Sequence, residues 1–179
     1  MPLSFESTDL PGVVVVVPKV FADDRGFLME TYKRSEFENA GLRVPLVQEN
    51  HSRSSQGTLR GLHYQREPRA QGKLVRVVLG EIFDVAVDIR RGSSTFGRWI
   101  GVALSAANRK SIYIPPGFAH GFCVTSPEAE VIYKTTDEYA PEYEEGIRWD
   151  DPSLAIAWPI AQPTLSTRDQ RWPSLAQTS

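Results

Sequence analysis

Short runs of apolar and β-branched residues, separated by Gly, Pro, Asn and Asp, recur along the chain and predict strands. The predicted strands cover residues 13–17, 27–32, 58–65, 73–79, 82–89, 99–104, 118–124 and 131–135. After the strand 73–79, Gly80 occupies the first central position of a two-residue turn, which favours a type II′ hairpin. One short helix is predicted over Ser35–Ala40, with Gly41 as its C-cap.

Many short strands and few helices predict a mainly β protein. In the strand 82–89 the odd-numbered residues are apolar, whereas Asp84 and Asp88 face the opposite side. This pattern is typical of an antiparallel sandwich or barrel, and a jelly roll is the favoured form. A length of 179 residues predicts one domain, 1–179. The proline-rich stretch 151–179 predicts a C-terminal segment that wraps the barrel.

Composition restricts the classes of function. A net charge of -2 argues against a protein that binds nucleic acid or a membrane surface, since both need an excess of basic residues. No signal peptide and no membrane span are recognisable, so we expect a cytoplasmic protein. The single cysteine, Cys123, excludes a disulfide within the chain and a cysteine-rich zinc site.

The three histidines are His51, His63 and His120. The Pro-x-Gly-x-x-His spacing that ends at His120 resembles the second half of the cupin signature. The partner motif of a metal cupin supplies His-x-His followed by Glu, but the sequence here reads His63-Tyr64-Gln65. A metal site needs about three to four suitable ligands, so a metal centre is disfavoured here. As a separate expectation, the protein uses no other cofactor. Taken alone, His63 could equally be a hydrogen-bonded histidine on a partly buried strand.

Other polar residues also have ordinary structural interpretations when each is taken alone. Lys73 is compatible with a solvated strand edge, Tyr133 with packing at a sheet edge, and Asp169 with a helix cap or turn.

A group of longer motifs indicates a function for these residues. Eight runs, in order, resemble the dTDP-4-dehydrorhamnose 3,5-epimerase family: residues 59–65, 71–78, 83–88, 115–122, 133–136, 149–152, 156–159 and 165–169.

The resemblance implies a cupin-type jelly roll that acts without a metal and forms a homodimer. It also implies a substrate, a dTDP-4-keto-6-deoxyhexose, that is inverted at C3 and C5, the carbons flanking the C4 ketone. A proton leaves such a carbon only if a base removes it while the enolate oxygen is stabilised. The N-terminal strands are plausible dimer elements, because exposed sheet edges are often closed by pairing across a two-fold axis.

Four residues match the chemical positions of the family. By similarity, His63 is the base, and Asp169 orients its imidazole and stabilises the protonated form. Lys73 is the cation near the enolate oxygen. Tyr133 is the acid that returns a proton from the opposite face, which inversion requires.

Binding roles are implied for nine further residues: Arg25, Glu30, Gln48, Asn50, Arg60, His120, Tyr139, Glu144 and Arg168. Arg25 and Arg60 match pyrophosphate contacts, since a guanidinium suits phosphate oxygens. Gln48 and Asn50 match the nucleotide site, and Tyr139 matches a residue that stacks near the thymine. Glu144 stands beside Glu145, and a shift of one residue in the match would give the binding role to Glu145.

Two features of the sequence test this assignment. Arg168 occupies a position where the family commonly has lysine, and either cation can bind a phosphate. Strict alternation would place Arg60 and His63 on opposite faces of their strand, although both should reach the ligand. We therefore predict irregular pairing at Gly61, where a β-bulge would let Arg60 and His63 point to the same side of the sheet.

Three other functions remain as alternatives. A relative with the same scaffold could invert only C3 or only C5, and it could retain all four chemical residues. A metal-dependent cupin enzyme is disfavoured by the missing His-x-His. A sugar-binding jelly roll without activity would have no need of His63, Lys73, Tyr133 and Asp169 together.

Overall fold

Two antiparallel β-sheets face each other in the computed structural model, which describes residues 2–178. The larger sheet has six strands, in the spatial order β1 (Leu3–Ser7), β2 (Val14–Pro18), β10 (Ser111–Ile114), β7 (Lys73–Leu79), β12 (Glu128–Thr135) and β5 (Gln48–Ser55). The smaller sheet has five strands, in the order β13 (Glu144–Gly146), β6 (Leu59–Gln65), β11 (Phe118–Val124), β8 (Glu81–Asp88) and β9 (Trp99–Ser105). The arrangement is a cupin-type jelly roll, which confirms the predicted fold class.

A separate hairpin and three short helices complete the fold. The hairpin pairs β3 (Val20–Asp23) with β4 (Gly26–Met29). Helix α1 (Arg34–Asn39) overlaps the predicted helix, and Gly41 follows its C-cap with a φ of 81°. Single 3₁₀ turns lie at Pro141–Tyr143 and Leu175–Gln177. Within residues 2–178, no helix has the length and apolar character needed to cross a membrane.

Every predicted strand is present, but five observed strands were not predicted: β1, β3, β5, β10 and β13. The predicted hairpin at Gly80 is wrong. β7 and β8, which flank Gly80, belong to different sheets, so the turn is a corner between the two layers. Gly80 has a φ of 73°, and a Cβ there would lie 1.9 Å from the carbonyl oxygen of Glu128. The glycine is therefore required by a tightly packed corner and not by a two-residue hairpin.

The barrel interior is apolar at one end and polar at the other. In the apolar part, Val75 and Val77 of β7 pack with Ile82 and Ala86 of β8. The outer face of the smaller sheet is also buried, because Ile147, Leu154 and Leu175 pack against its strands. Burial on both faces explains why β8 carries apolar residues at even as well as odd positions.

β6 and β11 approach each other unusually closely at two glycines. A Cβ on Gly61 would lie 2.5 Å from Cα of Gly121, and Gly61 has a φ of 140°. His120 pairs with His63, whereas Phe122 pairs with Arg60, so the register shifts between these pairs. This irregularity confirms the predicted bulge at Gly61, and it lets neighbouring parts of β6 present different side chains to the interior.

Candidate active site

The polar end of the barrel opens into a cavity of about 390 Å³ between the two sheets. Eleven of the thirteen sequence-predicted site residues line it: Gln48, Asn50, Arg60, His63, Lys73, His120, Tyr133, Tyr139, Glu144, Arg168 and Asp169. They come from both sheets and from the C-terminal segment. The fold thus brings together residues that are up to 121 positions apart in the sequence.

His63 and Asp169 form a hydrogen-bonded pair in the cavity wall. Nε2 of His63 lies 2.6 Å from Oδ1 of Asp169, and the His63 side chain keeps 20% of its surface exposed. The indole Nε1–H of Trp172 donates to the same carboxylate oxygen at 3.3 Å. Burial would raise the pKa of Asp169, but hydrogen bonding and charge interaction with His63 outweigh it and hold that pKa below its usual value. Asp169 is therefore a charged partner that fixes the imidazole.

Gly146 makes room for this pair. A Cβ at position 146 would lie 2.5 Å from the Trp172 ring, so only glycine lets the indole reach its place beside His63. The His63 and Trp172 rings meet edge to face at 6.1 Å between centroids. The C-terminal segment therefore supplies both Asp169 and the aromatic wall that supports the imidazole.

Lys73 and Tyr133 enter the cavity from the larger sheet. Lys73 begins β7, and its ammonium group lies 3.4 Å from the carbonyl oxygen of His63. Burial lowers the pKa of Lys73 to about 8, and the charges of Asp84 and Glu144 oppose that change. Burial also raises the pKa of Tyr133, so its phenol stays protonated at neutral pH.

The inward face of β5 is polar along its whole length. Gln48, Asn50, Ser52 and Ser54 point inward, and the first three line the cavity. Ser54 Oγ accepts a hydrogen bond from Nε of Arg60 at 3.0 Å, which directs the guanidinium into the site. The inward face of this edge strand has no apolar residues and so provides many hydrogen-bonding groups along one wall, as an elongated polar ligand requires.

A linked group of side chains forms the rim. Tyr139 donates to Glu144 Oε2 at 2.7 Å, and Arg168 forms an ion pair with the same carboxylate. The hydrogen bond to Glu144 raises the pKa of Tyr139. The neighbouring Glu145 instead accepts from Tyr64, so Glu144 is the glutamate that lines the cavity.

His120 lies deeper and pairs with a residue that the sequence analysis did not assign to the site. Its Nε2 is 2.9 Å from Oδ2 of Asp84, and both side chains are buried. The alternation of β8 already placed Asp84 on the face opposite the odd-numbered apolar residues. Nothing in the sequence indicated that β11 would bring His120 against it.

Arg25 and Glu30 are not among the residues that line this cavity. Arg25 lies in the turn of the β3–β4 hairpin, pairs with Asp23, and keeps 89% of its side chain exposed. Glu30 follows β4 and lies 3.9 Å from Lys33. The structure of one chain therefore does not bring these two residues to the site.

Several cavity residues were missed by the sequence analysis: Ser52, Tyr64, Gln65, Gln71, Phe122, Thr135 and Ser166. Ser52 and Thr135 share the inward faces of strands that carry predicted residues, so a correct assignment of β5 would have indicated Ser52. Among residues 2–178, no group of three His, Cys, Asp or Glu side chains is arranged to hold a metal ion.

The sequence and fold are similar to those of known epimerases. The family model described as dTDP-4-dehydrorhamnose 3,5-epimerase matches residues 7–177. A protein of that name from Shigella flexneri is 58% identical over 163 residues, 90% of each chain. The structure of a dTDP-6-deoxy-D-glucose-3,5-epimerase from Legionella pneumophila, in complex with dTDP-4-keto-L-rhamnose, has a TM-score of 0.95 and 46% identity, covering 99% of this chain and 95% of that one. A 3′-monoepimerase from Streptomyces bikiniensis, in complex with dTDP-quinovose, has a TM-score of 0.90 and 36% identity, covering 94% and 86%.

Proposed function

Because the chain belongs to the dTDP-4-dehydrorhamnose 3,5-epimerase family, we propose that it converts dTDP-4-dehydro-6-deoxy-D-glucose into dTDP-4-dehydro-L-rhamnose. The observation that carries this proposal is the placement of His63 and Tyr133. They reach the cavity from the two opposed sheets, β6 and β12. A sugar ring held between the sheets would have a base on one face and an acid on the other.

In the proposed reaction, His63 removes the proton from a carbon next to the ketone. The ring nitrogen that Asp169 does not bind accepts it, and the carboxylate stabilises the imidazolium that forms. The Lys73 ammonium stabilises the negative charge that develops on O4. Tyr133 then donates a proton from the opposite face, which inverts the carbon. Once His63 has released its proton to solvent and Tyr133 has regained one, the same steps repeat at the second carbon.

The rest of the cavity suits the nucleotide. Arg60, directed by Ser54, provides a charged fork for the pyrophosphate. Gln48 and Asn50, on the inward face of β5, provide polar contacts to the nucleotide. Tyr139 provides an aromatic surface at the rim for the thymine. Arg168 lies beside Glu144 in the cavity, where its guanidinium can take the place of the lysine that is common in the family.

Inversion at both carbons is favoured over inversion at one. The Shigella flexneri 3,5-epimerase is 58% identical to this chain, whereas the Streptomyces bikiniensis 3′-monoepimerase is 36% identical. The test is incubation with dTDP-4-dehydro-6-deoxy-D-glucose, with ring-proton coupling constants of the product read by NMR. A product inverted at C3 and C5 is expected. Inversion at one carbon would assign a single epimerase, and unchanged substrate would contradict the proposal.

We also propose that the protein is a homodimer in which the β3–β4 hairpin reaches the partner's cavity. Phe27 and Leu28 of this hairpin are 57% and 72% exposed, which is unusual for adjacent large apolar side chains. The same hairpin carries Arg25, a family-matched pyrophosphate contact that lies outside the cavity of its own chain. A partner chain would explain both features. A cytoplasmic location remains a prediction from the sequence.

A complementation experiment tests this dimer. A heterodimer of one Arg25→Ala chain and one His63→Ala chain, purified through two different tags, is expected to regain about half of the wild-type activity. One of its two sites then has an intact His63 and an intact Arg25 from the partner. The two mutant homodimers, in which neither site is complete, are the controls. If Arg25 acts within its own chain, the heterodimer will be no more active than the controls.

A further inference from the structure

A second His–Asp pair lies at the cavity, apart from His63 and Asp169. Asp84 is fully buried, and its Oδ2 accepts the hydrogen bond that links it to His120. Its other oxygen, Oδ1, has no hydrogen-bond partner within residues 2–178. A buried carboxylate with an unpaired oxygen is costly unless a neighbouring positive charge compensates it. Such a charge is present in the cavity.

The positive charge that acts on Asp84 is the ammonium of Lys73, which lines the same cavity but forms no ion pair with this carboxylate within residues 2–178. Lys73 belongs to the larger sheet and Asp84 to the smaller one. Burial lowers the pKa of Lys73 to about 8, and the negative charge of Asp84 opposes this decrease. The other titratable groups around the ammonium are those of β6, β11, β12 and β13: His63, His120, Tyr133 and Glu144. Glu144 also carries negative charge, but it is already paired with Arg168.

The same carboxylate determines which nitrogen of His120 carries the proton. Burial lowers the pKa of His120, so the imidazole is neutral at pH 7. A carboxylate can only accept a hydrogen bond, and therefore Nε2, which faces Asp84, must hold the proton. Nδ1 is left as a hydrogen-bond acceptor on a residue that lines the cavity.

We propose that Asp84 is a positioning residue that keeps Lys73 in its ammonium form and His120 in the tautomer protonated on Nε2. This proposal rests on the proposed function. In it, Lys73 and His120 make different polar contacts with the sugar. Lys73 donates to the oxygen that becomes the enolate, and His120 accepts a hydrogen bond from a sugar hydroxyl. Asp84 itself contacts neither.

The first test follows Lys73 in the free enzyme, so that it does not depend on activity. The chain has five lysines, which makes the ¹³Cε signal of Lys73 assignable by comparison with Lys73→Arg. In Asp84→Asn, removal of the negative charge favours the neutral amine, and the Lys73 titration midpoint is expected to fall by about one pH unit or more. A midpoint that matches wild type would overturn the proposal.

Activity provides a second readout. The ratio of kcat at pH 8 to kcat at pH 6 is expected to be about fivefold lower in Asp84→Asn, because less Lys73 is protonated at the higher pH. Asp88→Asn is the matched control. It removes another buried carboxylate of β8, one bound by Arg90, and should leave the Lys73 midpoint unchanged. An equal shift in both variants would contradict a specific role for Asp84.

A measurement on the wild-type protein covers the case in which Asp84→Asn does not fold. Only three histidines are present, so ¹⁵N spectra can assign the tautomer of His120. The expected result between pH 6.5 and 8 is a proton on Nε2 and a free lone pair on Nδ1. A proton on Nδ1 would refute the proposal, whatever the substrate of the enzyme proves to be.

Discussion

Replacing His63 with alanine is expected to lower kcat by roughly 10²–10⁴-fold, the usual contribution of a general base. His63 is held by Asp169 at 2.6 Å and remains accessible from the cavity, so its loss removes the group proposed to accept the proton. The fold should persist, because the side chain is in the cavity wall and not in the apolar core. The measurement is turnover of dTDP-4-dehydro-6-deoxy-D-glucose at saturating concentration.

His51→Ala is the control for this variant. His51 lies on the outward face of β5, is 54% exposed, and pairs with Glu130 on the surface. Its replacement should leave kcat within about twofold of wild type, since exposed ion pairs contribute little. Comparable losses in the two variants would mean that His63 has no special part in the reaction.

Gly61→Ala is expected to reduce both stability and activity. A side chain at this φ of 140° is strained, and its Cβ would lie 2.5 Å from Cα of Gly121. The backbone conformation alone should lower the free energy of unfolding by about 1–3 kcal/mol, and the contact adds to that. Because β6 must move away from β11 to relieve the contact, Arg60 and His63 are displaced together, and kcat/KM should fall at least tenfold.

Urea denaturation and steady-state kinetics measure the two effects of Gly61→Ala. Gly92→Ala serves as the comparison, because a Cβ at Gly92 meets no atom within 4 Å. That variant should match wild type in both measurements. A Gly61→Ala protein of unchanged stability and kcat/KM would show that the close approach of β6 and β11 does not position the site.

The sequence predicted the fold class and most of the residues that line the cavity, but it did not predict how all the strands are arranged. β5 was missed because its inward face, Gln48 to Ser54, is polar, and no apolar alternation marks it as a strand. The corner at Gly80 was misassigned as a hairpin because a glycine with positive φ serves either structure. Local sequence cannot distinguish these cases, since the difference lies in which sheet the next strand joins.

The site was predictable where a motif fixes local geometry, and less so where distant elements meet. Strict alternation places the Arg60 and His63 side chains on opposite faces of β6, although both were predicted to reach the ligand. The sequence alone indicated this conflict, and the bulge at Gly61 resolves it. The contact of Asp84 with His120 depends on the pairing of β8 with β11, which sequence spacing does not reveal. Arg25 lies outside the cavity of its own chain, so the binding role proposed for it depends on the proposed dimer.

Solvent deuterium incorporation tests the central claim most directly. Wild type and His63→Ala would be incubated with dTDP-4-dehydro-6-deoxy-D-glucose in D₂O, and deuterium would be measured by NMR at each ring carbon. Wild type is expected to introduce deuterium at both C3 and C5, and His63→Ala at neither within the same time. Deuterium at both carbons in the variant would contradict the assignment of His63 as the base, and absence of deuterium at both carbons in wild type would contradict epimerisation through proton abstraction.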